Sequence, residues 1–427
     1  MTQVNSEGAV HVYACATGNN VLNGAYVDDE LVIMDRNGNF DGSDDAAGYV
    51  DIMIPGLSGR HLLSQFSQTL KRPGLAGEVL GNRLVSRPSV AAPPSLRMTA
   101  DPAGKVSLEA FSPSGLRLIQ LFADGKLYKV AKSDGKTGSL DVTPAEKAGY
   151  RSLTAVSIDD NGLVSAPVTL PQTPNQGSAK GRLFGLAVGI DRYPKCGETP
   201  DRSCDLSFAV ADANRLAGAL RQTRAYSVNK VTVLADEHAS RDAIVAVIDD
   251  LVRDATADDT LVLSFAGHGV LDGSQLLLAL SATDPEDVEH SSLSFKDLSE
   301  HLKASKARVV LFLDVCHAGS VDRSGMATND AAVARLVTDS GASMVVFSAS
   351  KGRQFSEETA EQSGGRFSVA VEKILSTERD KFDLNANGAI SVSELYRGIK
   401  AMVVKDSEGR QTPWLSRNLM IGDFELF

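Results

Sequence analysis

The chain has 427 residues, 43% apolar and 23% charged, which describes ordinary globular protein long enough for roughly two to four domains. Lys and Arg number 43 against 54 Asp and Glu, a formal charge of −11; this argues against nucleic acid or an anionic membrane as the main partner and leaves room for a cationic substrate. Four cysteines exclude a disulfide scaffold and fit a reducing compartment.

Residues 1–94 carry short apolar runs, Val10–Ala14 and Leu31–Met34, between Gly-rich turns. The spacing predicts a helical stretch from Gly59 to Leu70. The run Ser86–Ser95 (SRPSVAAPPS) reads as a linker, because its prolines lack the donors a helix needs. Residues 95–172 change to short runs of mixed or alternating polarity, among them LRMTA, KVSLEAFS, LRLIQLFA and RSLTAVSID. Turn signals such as Ala123–Lys126 and Asp159–Gly162 separate them, which predicts a small β-sandwich of Ig-like type. Gln172–Gly181 reads as a second linker.

From residue 182 to 427 strands alternate with helices. Leu183–Ile190, Thr260–Gly267, Arg308–Val315 and Met344–Ser350 are near-continuous apolar runs, as strands buried on both faces require. Apolar positions in Leu206–Gln222 repeat at helical spacing; Ser240 caps a helix reaching about Asp254, and Ser294 opens another. The alternation predicts an α/β domain, a mainly parallel sheet flanked by helices. No apolar run reaches the ~18 residues of a membrane span, and residues 1–18 lack the basic and apolar regions of a secretory signal, so cytoplasmic residence is expected.

Parallel sheets collect their chemistry at the carboxyl ends of strands. The Thr260 strand runs into His268-Gly269, and the Arg308 strand into Cys316-His317-Ala318-Gly319. A thiolate is a strong nucleophile once a base is near, and an imidazole titrates in the right range to serve it. Taken singly, a buried Cys is an inert small hydrophobe and a strand-end His a satisfied polar group. Their coincidence at two strand ends of one domain points to a dyad. His317 alternates to the opposite face and reads as structural.

These segments, Ser264–Gly269 (SFAGHG) and Leu313–Gly319 (LDVCHAG), resemble the two signatures of caspase-like cysteine peptidases, closer to the prokaryotic and metacaspase branch of peptidase family C14 than to animal caspases. The likeness extends through Leu183–Tyr193, Ala211–Ala213, Phe347–Ser350 and Gln411–Pro413. Gly38–Ser43 and Arg72–Leu80 resemble a segment that precedes such domains in longer bacterial chains. The resemblance implies Cys316 as nucleophile, His268 as general acid/base, and the N–H groups of Cys316 and Gly269 as oxyanion hole. It also implies an S1 pocket containing Asp212 and Asp314, hence cleavage after Arg or Lys. By itself, Asp212 reads as a helix N-terminal acid offsetting the dipole. The resemblance places a subunit linker at Ser320–Ala342, whose Arg323 and Arg335 become candidate self-cleavage points.

Asp383, Asn385, Asn387, Ala389 and Glu394 fit the ligand positions of a calcium-binding EF-hand loop, with Gly388 at the turn. Only two are acidic, and the bland reading is a helix–loop–helix connector. The run Asp35–Asp41 looks similar but lacks an acid at its twelfth position and reads as a turn. Cys196, Cys204 and Cys15 are expected to be free thiols, because the stretch around Cys196 and Cys204 has too few ligands for a metal. A Cys–His dyad needs no cofactor, so calcium is the single candidate ligand. The expected partners are peptides or proteins with a basic P1 residue, and proteins bound by residues 1–180. The competing reading is a catalytically silent scaffold.

Overall fold

The structure, a computed structural model, describes the chain except residues 1, 5–8, 16, 28–29, 43, 48–49, 55–56, 58–59, 82, 84–85, 87–88, 144–151, 172–180, 197–203, 273–274, 318–342, 351–357, 360–362, 419 and 421–423. Some strand residues, among them Cys316 and His317, are described by their backbone alone. Two compact units divide the chain: residues 1–123 with 127–174, and residues 124–126 with 175–427.

The first unit holds a five-stranded antiparallel sheet, Thr2–Val4, Val10–Tyr13, Asn20–Val27, Glu30–Asp35 and Phe40–Asp41 in that order. Asp35 closes the last hairpin, its Oδ1 accepting the N–H groups of Asn37 (2.8 Å) and Asn39 (2.9 Å). This is the turn chemistry Asp favours. The helix expected over Gly59–Leu70 is shorter than its periodicity suggests. His61–Leu62 pairs as a strand with Asp51–Ile52, and only Leu63–Phe66 (3₁₀) and Ser67–Leu70 (α) are helical. Gln65 Oε1 accepts the Leu62 N–H at 2.9 Å and so fixes the helical start after Leu62.

Seven further strands, from Ser95–Ala100 to Val168–Pro171, form one sheet of four and one of three. Val106, Leu108 and Ala110 point inward while Ser107, Glu109 and Phe111 do not, the period-2 pattern of a half-buried strand. They share a core with Leu116, Ile119, Leu121, Leu153 and Ala155 of the other sheet, so the two sheets pack face to face.

The second unit is an α/β domain. Its main strands are β1 (Leu183–Gly189), β2 (Asn229–Ala235), β3 (Thr260–Asp272), β4 (Gln275–Leu278), β5 (Arg308–His317), β6 (Met344–Ser348) and β7 (Trp414–Asn418). Its main helices are α1 (Ala209–Gln222), α2 (Arg241–Asp254), α3 (Phe295–Leu302), α4 (Arg366–Leu375) and α5 (Val392–Asp406). The sheet order is β2-β1-β3-β5-β6-β7. The first five strands run parallel, while β7 is antiparallel to β6 and β4 is antiparallel to the end of β3. The sheet is therefore mixed, with a parallel centre.

Side chains alternate between two cores. Leu186, Leu261, Leu263, Val309 and Leu311 meet Ile244, Ile248 and Leu251 of α2 and Leu298 of α3. Ala187, Val262, Val310, Phe312 and Phe347 meet Leu216 and Leu220 of α1, Phe367 of α4 and Leu395 of α5. Ser240 and Ser294 cap α2 and α3, accepting from Ala243 N (3.2 Å) and Asp297 N (3.0 Å). Both strand faces are covered, which is why β1, β3, β5 and β6 read as unbroken apolar runs.

Candidate active site

β3 and β5 are hydrogen-bonded neighbours in parallel register from Thr260↔Arg308 to Gly269↔His317, and within that ladder His268 is the partner of Cys316. Neighbouring strands lie about 4.8 Å apart, so two residues 48 positions apart in sequence share one strand-end address. Gly269 is also the partner of Leu278 on β4.

The imidazole of His268 is held from one side. Its Nε2 lies 2.7 Å from the Cys204 carbonyl oxygen. A carbonyl only accepts, so Nε2 carries the proton. Nδ1 is buried and has no hydrogen-bond partner among the described residues. Tyr193 fixes the same residue twice: its hydroxyl accepts the His268 N–H at 2.9 Å, and its ring lies against the imidazole with centroids 4.6 Å apart. Gly267 makes room for that hydroxyl, since a Cβ there would sit 2.7 Å from it. Asp205 locks the neighbouring loop, its carboxylate accepting from Tyr193 N (2.8 Å) and pairing with Arg192 (3.0 Å). Those bonds hold the Asp205 carboxyl below the usual range, the Tyr193 N–H contributing most.

Cys196 and Cys204 correct the sequence reading. They are joined in a disulfide with Cα atoms 5.6 Å apart, while Cys15 is exposed and takes no part in a disulfide. Sequence gave no sign of the bond because residues eight apart in a polar stretch meet only when the chain doubles back, as the Cys204 N–H to Cys196 carbonyl contact (3.4 Å) does here.

Asp212 and Asp314 come together beside the same strand ends. Asp212 lies in the first turn of α1 and Asp314 on β5, and they are only 4% and 9% exposed. They line a small pocket with Ser264, Phe312, Phe367 and Ser368. Ser264 Oγ is buried there without a hydrogen-bond partner among the described residues. Asp212 Oδ2 accepts the Gly365 N–H at 2.9 Å, and Asp314 Oδ2 accepts from Ser368 Oγ at 3.0 Å. A Cβ on Gly365 would stand 3.0 Å from each of these two oxygens, so the two carboxylates flank one glycine.

Sequence reasoning missed Arg215. Its Nη1 pairs with Asp212 Oδ1 at 2.6 Å and its Nη2 donates to the Ser363 carbonyl at 3.0 Å. An acid and a base three apart on a helix usually mark a solvated face; here the acid is buried and lines the pocket. Arg323 and Arg335 lie outside the described residues, as do the side chains of Cys316 and His317.

The EF-hand-like loop lies between short helix Arg379–Phe382 and α5. Asp383 accepts the N–H groups of Asn387 (3.0 Å) and Gly388 (2.7 Å), and Gly388 has the positive φ (78°) of a tight turn. Glu394 Oε1 accepts from Leu384 N and Oε2 from Ser391 N, completing a capping box for α5. The side-chain oxygens of Asn385 and Asn387 likewise accept backbone N–H groups, from Asn387 and Ala389.

A model of the caspase domain family, peptidase family C14, matches residues 183–425. That is more than half of the chain, and the chain belongs to this family. Comparison with curated proteins finds no match. Among solved structures, protein GSU0716 of Geobacter sulfurreducens is 21% identical, with 56% of this chain and 94% of that chain covered at a TM-score of 0.40. The Drosophila initiator caspase Dronc is 12% identical, with 57% and 85% covered at a TM-score of 0.36. At those scores neither carries the assignment, which rests on the family model. Among the described residues no helix is long and apolar enough to cross a membrane.

Proposed function

We propose that the chain is a cysteine endopeptidase cleaving after Arg or Lys, with Cys316 as nucleophile and His268 as general acid/base. One observation carries the reading. His268 and Cys316 are register partners on adjacent strands, and the imidazole has its Nε2 proton committed to the Cys204 carbonyl while buried Nδ1 has no partner among the described residues. An imidazole in that tautomer offers Nδ1 as the base.

In the proposed reaction, Nδ1 takes the proton of the Cys316 thiol, and the sulfur adds to the scissile carbonyl carbon. The developing oxyanion is met by the N–H groups of Cys316 and Gly269, donors that act on charge formed only in the transition state. Nδ1–H then protonates the departing amine, leaving a thioester. Water, activated by the same nitrogen, hydrolyses it and restores the thiol. Asp212, Asp314 and the Ser264 hydroxyl support a cationic P1 side chain, because two buried carboxylates stabilise a charge that an apolar cavity alone would reject. A fluorogenic peptide series varying only P1 tests the reading. Turnover confined to Arg and Lys, and abolished in Cys316→Ala, is expected; no turnover of any peptide would favour the silent scaffold.

Three further parts of the proposal follow from sequence. The partners are basic-P1 peptides or proteins, with residues 1–180 as a protein-binding region and neither nucleic acid nor membrane as a ligand. Cytoplasmic residence, proposed from the low cysteine count, faces one counter-observation in the Cys196–Cys204 disulfide, a bond that reducing compartments disfavour. Calcium at Asp383, Asn385, Asn387, Ala389 and Glu394 is supported by the pattern and by the Gly388 turn, and opposed by the backbone donors already on Glu394. Titration calorimetry with calcium on the full chain decides it: a saturable isotherm lost in Glu394→Gln supports the site, and no heat removes it.

A further inference from the structure

We propose that the Cys196–Cys204 disulfide positions the catalytic imidazole, so that its reduction lowers turnover without weakening substrate binding. The inference rests on the peptidase reading above. Its basis is a short chain of contacts. Cys204 supplies the carbonyl that accepts the His268 Nε2–H at 2.7 Å. The same residue is covalently tied to Cys196, whose N–H is in turn accepted by the Tyr193 carbonyl at 2.9 Å. Tyr193 accepts the His268 backbone N–H and packs on its ring. The bond thus closes a small circuit, Tyr193–Cys196–Cys204–His268, around the histidine.

Catalysis by His268 depends on which ring nitrogen faces the nucleophile. A carbonyl fixed at Nε2 holds the proton there and leaves Nδ1 as the base. A carbonyl free to drift lets the ring rotate or exchange tautomers, and each excursion removes the base from the thiol. Asp205, bonded to Tyr193 N and Arg192, still anchors the adjacent residue, so the expected loss is partial rather than complete. Misplacement of a catalytic group by about an ångström costs up to ~10²-fold in rate. Reduction is stoichiometric: a dithiol passes two electrons and two protons to the Cys196–Cys204 bond, giving two thiols and a cyclic disulfide. The substrate cavity, built from α1, β3, β5 and α4, has no residue in the circuit, which predicts an effect on kcat alone.

The test uses the full chain and Cys196→Ser, which removes the bond but keeps the Cys204 carbonyl. Alkylation of denatured, unreduced wild-type protein should add two labels; four would show no disulfide and overturn the proposal. Against an Arg-P1 peptide, kcat of Cys196→Ser should be about ten- to a hundredfold lower, with KM within twofold. Excess dithiol should bring wild type down to the same kcat and leave Cys196→Ser unchanged. Equal kcat for the two proteins, or a fall in both under dithiol, would overturn the proposal while leaving the peptidase reading intact. If no peptide is turned over, ring ¹⁵N spectra still decide the circuit: a single Nε2–H tautomer at His268 in wild type, averaged in Cys196→Ser, supports it, and identical spectra reject it.

Discussion

Replacing Cys316 by Ala takes one sulfur atom from a strand whose backbone ladder to β3 is unaffected by the change. Hydrolysis should disappear while the melting temperature stays within a few degrees, as calorimetry would show. His268→Ala should lower kcat by ~10²–10⁴, the range that general acid–base help contributes. The two pocket carboxylates should part company. Asp314→Ala removes a carboxylate bonded to Ser368 and should cut kcat/KM on Arg-P1 peptides by roughly ten- to a hundredfold, as loss of a charge-assisted contact implies. Asp212→Ala also leaves Arg215 and the Gly365 N–H without the carboxylate whose two oxygens they bond, so it should lower the melting temperature as well. Parallel melts and P1 profiles of the two variants check this, and equal melts would contradict it. The family resemblance pointed to Asp314, and the strand-end positions of His268 and Cys316 were legible in the sequence. Arg215, Tyr193 and Gly365 were not, because each acts through a neighbour distant in sequence, and nothing in its own local pattern marks that neighbour.

At the start of β1, Asp259 acts as a knot. It accepts from Arg182 N (2.8 Å), Arg182 Nη2 (2.7 Å), Thr256 N (2.8 Å) and Thr256 Oγ1 (2.9 Å), tying β1 to the turn before β3. Burial pushes its carboxyl up, but the Arg182 and Thr256 bonds together hold it below the usual range. A carboxyl depressed in the folded state stabilises above its unfolded value of ~3.9 and ceases to do so as pH falls through the lower folded value. Asp259→Asn should therefore cost about 1–3 kcal/mol at pH 7, discounted for the exposure of Arg182, and next to nothing once acid has protonated the wild-type group. Urea melts at both pH values measure it; a penalty that grows in acid would contradict it. Gly365→Ala is the steric counterpart: its Cβ would stand 3.0 Å from two carboxylate oxygens, and turnover of Arg-P1 peptides should fall at least about tenfold, as a shifted pocket implies. The Ser-capped starts of α2 and α3, and the end of α2, were readable in the sequence. The stretch Gly59–Leu70 was not, since Leu63, Phe66 and Leu70 repeat at helical spacing while Gln65 bonds the backbone that would extend the helix upstream. Antiparallel β7 was equally hidden, because only its place beside β6 gives its direction.

Considered as one molecule, the second unit crosses from β5 to β6 through residues 318–342, which hold the candidate self-cleavage points Arg323 and Arg335. β5 and β6 are parallel neighbours from Val309↔Met344 to Leu313↔Ser348, inside a sheet covered on both faces. A cut after Arg323 or Arg335 should leave the fragments associated and melting in one transition. Intact mass under native and denaturing conditions, with Cys316→Ala beside active protein, reads both outcomes; cutting in the Ala variant would remove self-processing. That sheet also has a history in time. β7 follows Cys316 by about a hundred residues, which a ribosome adds in roughly 5–20 s. Trp414 of β7 belongs to one core, and Phe424, Leu426 and Phe427 to the other. During those seconds β5, with the proposed nucleophile Cys316, has been made but neither core is filled, so under the proposed mechanism a nascent chain carries a sulfur without the framework that would arm it.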